Sequence, residues 1–175
     1  MIATIEEMTA MLDDTLALAR SGRAVEEARP VDLHALADTI VEEFRALGRD
    51  VKLAPGERVT ATVQPNLLRR AIRNLVENGV KYAGAARVTV RRVSEDRDLG
   101  VAIEVVDDGP GIAAAELARV QEPFYRIEPS RSRETGGSGL GLTLARAAAQ
   151  AHGGRLELDN RAGGGLCARI RLPGS

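Results

Sequence analysis

The sequence predicts a single α/β domain, and three observations carry this prediction. Several segments repeat apolar residues at helical spacing, short runs elsewhere alternate apolar with polar residues, and glycine or proline separates most of them. A length of 175 residues suits one main core. The composition, 44% apolar and 28% charged with a net charge of -1, is typical of a soluble globular protein and excludes a general attraction to nucleic acid or anionic lipid.

The N-terminal region predicts two helices. Residues 1–20 form an amphipathic pattern, and no capping residue precedes it, so we expect the natural protein to be longer at its N-terminus. A second helix is predicted from Asp32, a good N-cap, to Gly48, a typical stop. The single cysteine, Cys167, can form no internal disulfide, which fits a cytosolic setting.

The rest of the chain predicts strands around three further helices. Pro65 opens a long helix that runs to about Tyr82, a short helix is expected near residues 113–120, and the last helix covers residues 140–152. Strands are expected at 51–53, 58–63, 88–93, 101–105, 155–159 and 166–172, of which 88–93 and 101–105 look like a hairpin.

One edge of the helix that starts at Pro65 carries polar residues beside its buried face. On a helical wheel Asn74, Asn78 and Lys81 fall within a strip of about 60°. Neutral amide oxygens next to a cation suit a phosphate-bound magnesium ion, which prefers oxygen ligands. The same strip is also compatible with an ordinary solvated helix edge.

Two glycine-containing segments are candidate binding loops. Residues 107–112 follow a strand and combine a carboxylate with two glycines, although a tight turn has the same pattern. Residues 136–142 are glycine-rich and lead into a helix N-terminus, where free N–H groups favour an anion, although a flexible hinge is the other interpretation. The run is not a P-loop, because the closing lysine and hydroxyl residue are absent.

Jointly these segments resemble the ATP-binding domain of sensor histidine kinases and of the wider superfamily shared with type II topoisomerases, Hsp90-class chaperones and mismatch-repair ATPases. The similarity covers residues 31–172, and its four boxes occur in the family's order. The N box corresponds to residues 74–82, the first glycine box to 107–112, the F box to 122–126 and the second glycine box to 137–142. The fold that this resemblance implies is a two-layer α/β sandwich of the Bergerat type, with a mixed, mostly antiparallel sheet and helices on one face.

The resemblance implies a site for ATP with Mg²⁺. Asn78 would bind the magnesium ion, Asn74 would assist it and Lys81 would neutralise phosphate charge, so these are the expected catalytic residues. The remaining contacts would come from the nucleotide walls and the lid. Tyr82 would pack beside the nucleotide, and Asp107 would accept a hydrogen bond from the adenine amino group. Gly109 and Gly111 would admit the base, and Ile112 would form part of the pocket wall. The lid would comprise Tyr125, Arg126, Arg131, Arg133, Gly137, Gly139, Leu140, Gly141 and Leu142.

Three positions depart from the family pattern without removing a ligand, and one of them is Ala83, which follows Tyr82 where the family usually has a hydroxyl residue. Gly79 stands where the family usually has alanine, and Gln64 stands where an aspartate commonly caps the helix. Glycine should weaken the helix by about 1 kcal/mol relative to alanine.

Residues 1–22 resemble the second helix of the kinase dimerisation hairpin, with a linker at 23–30 and the catalytic domain at 31–175. Neither His34 nor His152 fits the pattern of a phosphoacceptor, so we expect structural roles for both and an acceptor helix outside this sequence. The implied partners are that helix and, through the parent kinase, a response regulator. The implied location is the cytosolic portion of a membrane-bound bacterial kinase.

Three alternatives stay open at this point. The chain could be an ATP hydrolase of the same superfamily, a binding module without kinase activity, or a serine kinase of the anti-sigma type. Hydrolysis is disfavoured because Asn74 stands where the hydrolases place a glutamate, and an amide cannot take a proton from water. Intact boxes argue against the binding module, and the hairpin-like helix argues against the serine kinase.

Overall fold

The computed structural model describes residues 26–95, 98–123, 125, 127 and 139–174. Its helices are α1 (Leu33–Ala46), α2 (Pro65–Ala83) and α3 (Gly141–Ala151), with a short 3-10 helix at Arg119–Gln121. Its strands are β1 (Arg29–Asp32), β2 (Asp50–Leu53), β3 (Thr60–Val63), β4 (Ala85–Glu95), β5 (Asp98–Val106), β6 (Arg155–Asn160) and β7 (Leu166–Pro173). The helix predicted for residues 1–20 lies outside the described residues. Across the described part of the chain, every helix is too short or too polar to span a bilayer.

Five strands form one mixed sheet in the order β2-β4-β5-β7-β6. β2 and β4 run parallel, whereas β4–β5, β5–β7 and β6–β7 are antiparallel pairs. β1 and β3 form a separate antiparallel pair. The mixed, mostly antiparallel sheet expected from the sequence is therefore confirmed, and the hairpin predicted between the long central strands is β4–β5.

The core lies between this sheet and the helices. Because strand residues alternate between faces, the apolar positions of β4, β5 and β7 share the side covered by helices. Fully or almost fully buried side chains there include Val88, Ile103, Ile170, Leu68, Ile72 and Leu75. The other side of the sheet is lined by Arg91, Glu104, Arg169 and Glu157, which form ion pairs across neighbouring strands. One face of the sheet is thus apolar and the other charged, which gives the two-layer arrangement.

The prediction of a helix near residues 113–120 is wrong. The segment forms turns, with the Glu116 N–H donating to the Ala113 carbonyl and the Val120 N–H donating to the Glu116 carbonyl, and it ends in the 3-10 helix. A segment of about two turns gains too few hydrogen bonds to offset the cost of helix nucleation. The sequence analysis also assigned residues 29 and 30 to a linker, whereas they belong to strand β1.

Candidate functional site

The amide edge of α2 faces the N-terminus of α3. Asn74 and Asn78 are half-buried and one helical turn apart. Gly141, the first residue of α3, lies against both, since a Cβ atom built on it would stand 3.7 Å from the Asn74 Cβ atom and 3.8 Å from the Asn78 Nδ2 atom. The structure therefore brings together two motifs that are far apart in the sequence, at a helix end whose N–H groups favour an anion.

The side-chain amide nitrogen of Asn74 is buried and has no hydrogen-bond partner among the described residues. A buried donor without a partner costs about 1–3 kcal/mol, so such donors are uncommon in folded proteins. This one lies where an amide edge meets a helix N-terminus. That position is where an oxygen-rich ligand would complete the hydrogen bonding.

Lys81 and Tyr82 lie at the C-terminal end of α2. The Lys81 ammonium is 5.2 Å from the centroid of the Tyr82 ring, which makes a cation–π contact. Lys81 is half-buried, whereas 63% of the Tyr82 side chain is exposed. The structure places this ring on the protein surface, so its packing against a nucleotide stays a prediction.

Asp107 directly follows β5, as predicted, and its carboxylate is oriented by backbone hydrogen bonds. The Oδ1 atom accepts from the Gly109 N–H at 2.9 Å and from the Leu166 N–H at 3.2 Å. The described residues give the Oδ2 atom no hydrogen bond. One oxygen of this carboxylate is therefore fixed by the fold and the other remains available as an acceptor.

The end of α2 approaches Asp107 closely because glycines stand at both contacts. A Cβ atom on Gly79 would be 3.0 Å from the Ala86 Cβ atom and 3.6 Å from the Asp107 Cβ atom. A Cβ atom on Gly109 would be 3.1 Å from the Ala83 Cβ atom. The departure at Gly79 thus has a packing reason, since the helix lies almost against strand β4 at this point.

The rest of the Asp107 loop (residues 107–112) is held by the connection between β6 and β7. Gly111 has a φ of +72°, a conformation that glycine adopts without strain. The Ile112 N–H donates to the Asn160 Oδ1 atom at 2.9 Å, and the Asn160 Nδ2 atom donates to the Ile112 carbonyl at 2.6 Å. No local pattern in the sequence indicates this role of Asn160, because its partner lies 48 residues away.

The predicted lid is described only in part. The Tyr125 hydroxyl donates to the Glu116 carboxylate, and the Arg119 guanidinium lies 4.4 Å from the Tyr125 ring centroid. The hydrogen bond to Glu116 raises the pKa of Tyr125, because loss of the phenol proton would bring two negative charges together. Tyr125 is therefore tied to the turn that precedes the lid.

The other lid residues separate into two groups. Gly139, Leu140, Gly141 and Leu142 are described: Gly139 has a φ of +73°, Leu140 is buried, and Leu142 packs against the core. The remaining predicted lid residues lie outside the described residues. They are Arg126, Arg131, Arg133 and Gly137.

The N-terminus of α2 is capped from a distance. The Gln64 side chain makes no capping hydrogen bond. Instead the Glu26 carboxylate accepts from the Asn66 N–H at 3.0 Å and from the Leu67 N–H at 3.3 Å. An acidic group at this end also suits the helix dipole. Glu26 thus replaces the local cap that the sequence lacks, and no local pattern could have identified it.

Both histidines are engaged with the backbone. His152 accepts from the Gln64 N–H at its Nε2 atom, at 2.9 Å, and its Nδ1 atom lies 2.7 Å from the Ala148 carbonyl. This pairing requires the tautomer with the proton on Nδ1. The His34 Nε2 atom lies 3.4 Å from the Ala54 carbonyl, and the ring packs against Gly56. These contacts agree with the structural roles expected for both residues.

Comparison with known proteins identifies relatives along almost the whole chain. A family model described as Histidine kinase-, DNA gyrase B-, and HSP90-like ATPase matches residues 39–175. The sensor protein CutS of Streptomyces coelicolor is 39% identical over 182 residues, which cover 99% of this chain and 42% of CutS. This chain therefore spans less than half of the length of CutS.

Solved structures share the fold. The crystal structure of the ATP binding domain of PrrB from Mycobacterium tuberculosis has a TM-score of 0.69 and 31% identity, covering 86% of this chain and 99% of that domain. The crystal structure of full-length ShkA in complex with AMPPNP has a TM-score of 0.74 and 27% identity, covering 95% of this chain and 35% of ShkA.

Proposed function

The chain belongs to the family of histidine kinase-, DNA gyrase B- and HSP90-like ATPases, and from that membership we propose that it binds ATP with magnesium between α2, the start of α3 and the Asp107 loop. We further propose that it is the ATP-binding catalytic part of a bacterial two-component sensor histidine kinase. ATP supplies the phosphoryl group, and the protein supplies the positions and charges that such a transfer mainly needs.

The observation that carries the proposal is the buried Asn74 amide nitrogen beside Gly141, for which the described residues provide no hydrogen-bond partner. A buried donor, a second amide at Asn78 and a helix N-terminus converge on one place, and phosphate oxygens would satisfy all three. The donor set suits Mg²⁺ as well, because this ion keeps most of its waters and takes few protein oxygen ligands beside substrate phosphates. We assign Asn78 as the magnesium ligand and Asn74 as its assistant. Lys81, on the same helix edge, is assigned to phosphate charge.

The base would lie at the other end of the site, beside Asp107. Its Oδ1 atom is occupied by two backbone N–H groups, which leaves Oδ2 to accept from the adenine amino group. Gly109 and Gly111 are assigned to admit the base, and Ile112 is half-buried at the end of the loop. Tyr82 is exposed on α2 and available to pack beside the nucleotide.

The lid is proposed to close over the triphosphate. Its arginines, Arg126, Arg131 and Arg133, would contact phosphate oxygens, for which a guanidinium is well suited. Its second part enters α3 and would bring backbone N–H groups to the phosphates. We assign to the lid Tyr125, Gly137, Gly139, Leu140, Gly141 and Leu142.

We propose that the accepting histidine lies on a dimerisation helix outside this sequence. The ring nitrogens of His152 and the Nε2 atom of His34 face backbone groups, which supports structural roles for both residues. We assign residues 1–22 to a helix of the dimerisation hairpin, 23–28 to a linker and the chain from strand β1 onward to the catalytic domain. The whole kinase would pass the phosphoryl group to a response regulator in the cytosol.

Hydrolysis of ATP is not the proposed reaction. Asn74 cannot act as a general base, and the nearest carboxylate on α2, Glu77, is exposed on another face of the helix. A neutral imidazole needs less activation than water, because its nitrogen is already a nucleophile.

Titration calorimetry with MgATP and MgGTP tests the binding site. We expect tighter binding of ATP, and Asp107→Asn should weaken ATP binding by about tenfold, since one hydrogen bond to a charged group contributes about 1.5 kcal/mol. Asparagine keeps the Oδ1 acceptor that the fold uses, so the variant should remain folded. Equal binding of ATP and GTP, or no effect of Asp107→Asn, would contradict the adenine assignment.

Incubation with γ-labelled ATP tests the transfer. We expect no label on this chain alone, and slow, concentration-dependent labelling of a supplied hairpin that carries the acceptor histidine, because the two parts are no longer tethered. Acid-labile label on the chain alone that is lost in His34→Ala or His152→Ala would refute the external acceptor. Absence of label on a cognate hairpin would contradict the kinase activity and would favour an ATP-binding module without it.

A further inference from the structure

Two adjacent residues at the end of β6 hold both ends of the Asp107 loop. Asn160, the last residue of β6, forms two hydrogen bonds with the backbone of Ile112, at 2.9 and 2.6 Å. The Arg161 Nη1 atom donates to the Asp107 carbonyl at 3.0 Å and pairs with the Asp108 carboxylate. One short segment thus fixes the first and the last residue of the loop.

The same connection leaves little freedom at Asp107 itself. Leu166 and Asp107 form two hydrogen bonds with each other. The Asp107 N–H donates to the Leu166 carbonyl at 3.0 Å, and the Leu166 N–H donates to the Asp107 side-chain Oδ1 atom at 3.2 Å. Gly165 has a φ of +90°, and a Cβ atom on it would stand 1.9 Å from the Asp107 carbonyl oxygen. The turn that joins β6 to β7 (residues 161–165, the β6–β7 turn) is therefore in direct contact with the candidate base-recognition residue.

The two contacts of Arg161 differ in what they contribute. The Asp108 side chain is 87% exposed, so its ion pair with Arg161 is screened by water and contributes little. The hydrogen bond to the Asp107 carbonyl is part-buried and is charge-assisted, which makes it the stronger of the two. The main effect of Arg161 is accordingly on the position of the Asp107 peptide, rather than on the charge of Asp108.

We propose that Asn160 and Arg161 are positioning residues for base selection, which act through the Asp107 loop and do not touch the nucleotide. This inference rests on the proposed function, because it needs Asp107 to recognise the base. Discrimination between two purines depends on placing one acceptor to within a few tenths of an ångström, since hydrogen bonds weaken steeply with poor geometry. Release of either end of the loop would make the position of the Asp107 acceptor less well defined and would leave the phosphate end of the site intact.

The test compares three ligands on the full chain: MgATP, MgGTP and magnesium tripolyphosphate, which has no base. Arg161→Ala removes one charge-assisted hydrogen bond and Asn160→Ala removes two neutral ones, so each should weaken ATP binding by about tenfold and lower the ratio of ATP to GTP affinity. Tripolyphosphate binding should not change, because Asn74, Asn78 and α3 are untouched. Arg161→Lys keeps a cationic donor and should recover part of the selectivity.

Arg155→Ala is the matched control. It removes an arginine from β6, the strand that ends at Asn160, and the partner of Arg155, Glu157, keeps hydrogen bonds from Arg169 and Arg171. The thermal midpoints of the Arg161 and Asn160 variants should fall no further than that of the control. Asn160→Asp, which keeps the acceptor and removes the Nδ2 donor, provides a milder second variant if Asn160→Ala does not fold.

The possible outcomes separate the inference from the proposed function. An unchanged ATP to GTP ratio, or an equal loss of ATP and tripolyphosphate binding, would overturn the positioning role while Asp107→Asn still reports on the site. Failure of the unmodified chain to bind MgATP would instead contradict the proposed function and remove this inference with it.

Discussion

The outer face of the sheet and the candidate nucleotide site are both rich in polar side chains, but their hydrogen bonding differs. On the outer face, Arg169 bonds to Glu104 at 2.6 Å and to Glu157 at 2.9 Å, and Arg91 and Arg171 bond to the same carboxylates. At the site, the Asn74 amide is buried with no partner among the described residues. One region satisfies its polar groups within the fold, whereas the other contains a buried donor that the described residues leave unsatisfied.

Because of this difference, we expect the outer face of the sheet to contribute to stability and the candidate site to contribute to function. Burial of the Glu104 carboxyl opposes its charged form, but hydrogen bonds from Arg91 and Arg169 outweigh this and lower its pKa. The pKa of Glu157 is lowered in the same way by Arg169 and Arg155. The carboxylates in turn raise the pKa of Arg169. We therefore expect outer-face substitutions to change unfolding and site substitutions to change binding.

The largest expected effect is at the site. Asn78→Ala should weaken MgATP binding by about 100-fold, roughly 2.7 kcal/mol, because it removes the proposed magnesium ligand. The free energy of unfolding should change little, since Asn78 is only half-buried and lies outside the core. Calorimetry with and without magnesium, together with urea unfolding, provides the measurement. If the affinity for ATP depended on magnesium as strongly in the variant as in the unmodified chain, Asn78 would not belong to the site and the contrast between the two regions would not hold.

The second effect belongs to the outer face. Arg169→Met keeps the apolar stem but removes the donor shared by Glu104 and Glu157, and should lower the free energy of unfolding at pH 7 by about 2 kcal/mol. ATP affinity should stay the same. A change in affinity without a change in unfolding would show that the two regions are not independent.

The same variant has a defined pH dependence. Because the pKa values of Glu104 and Glu157 are lowered in the folded state, their contribution is complete above the ordinary value of 4.5 and is lost as the pH falls through the folded-state pKa values. In Arg169→Met both values should return toward 4.5, so the loss of stability in acid should become smaller. Urea unfolding across the acid range would contradict this if both proteins lost stability in parallel.

A third effect concerns the other end of α2, where the polar groups are satisfied from a distance. Glu26→Ala should lower the free energy of unfolding by about 1 kcal/mol, the usual value of a helix cap. Gln64→Asp in the same background should restore it, because Gln64 occupies the N-cap with extended backbone angles of -82° and 105°. Glu27→Ala, at the neighbouring exposed residue, is the matched control. A loss in the control as large as in Glu26→Ala would refute the capping role.

The smallest effect is expected where α2 passes strand β4. Gly79→Ala should improve helix propensity but press its Cβ atom against Ala86, whose backbone is held by pairing with Val51. The two effects are similar in size, so we expect a net loss of only about 0.5 kcal/mol. In a double-mutant cycle, Ala86→Gly should remove the clash and make Gly79→Ala favourable. If Gly79→Ala raised the free energy of unfolding in the unmodified background, strand β4 would have to shift at this point to accept the added Cβ atom.

The elements that could be predicted are those with a complete local pattern. The helical spacing from Pro65 to Tyr82 identified α2 to within one residue, and Asp32 was correctly predicted as the cap of α1. The segment at 113–120 has no such support and was wrongly predicted as helix. Strand β1 was missed because its four residues include a proline and only one residue that favours strands, Val31, so they show no alternation.

The site shows the same division. The amide edge of α2 and the position of Asp107 at the end of β5 followed from periodicity, and the family resemblance assigned their roles. Glu26 and Asn160 could not be found, since their partners lie 40 and 48 residues away. Their hydrogen bonds form only after the strands and helices have packed.

The sequence by itself therefore determined most of the helices and strands, which face of each is buried, and which residues belong to the binding motifs. These properties depend on neighbours within a few residues, and side-chain spacing encodes them directly. Only the tertiary structure decided that Gly141 lies against Asn74 and that Asn160 and Arg161 hold the Asp107 loop. Such contacts join segments whose separation is set by the packing of the whole sheet, so no local pattern contains them.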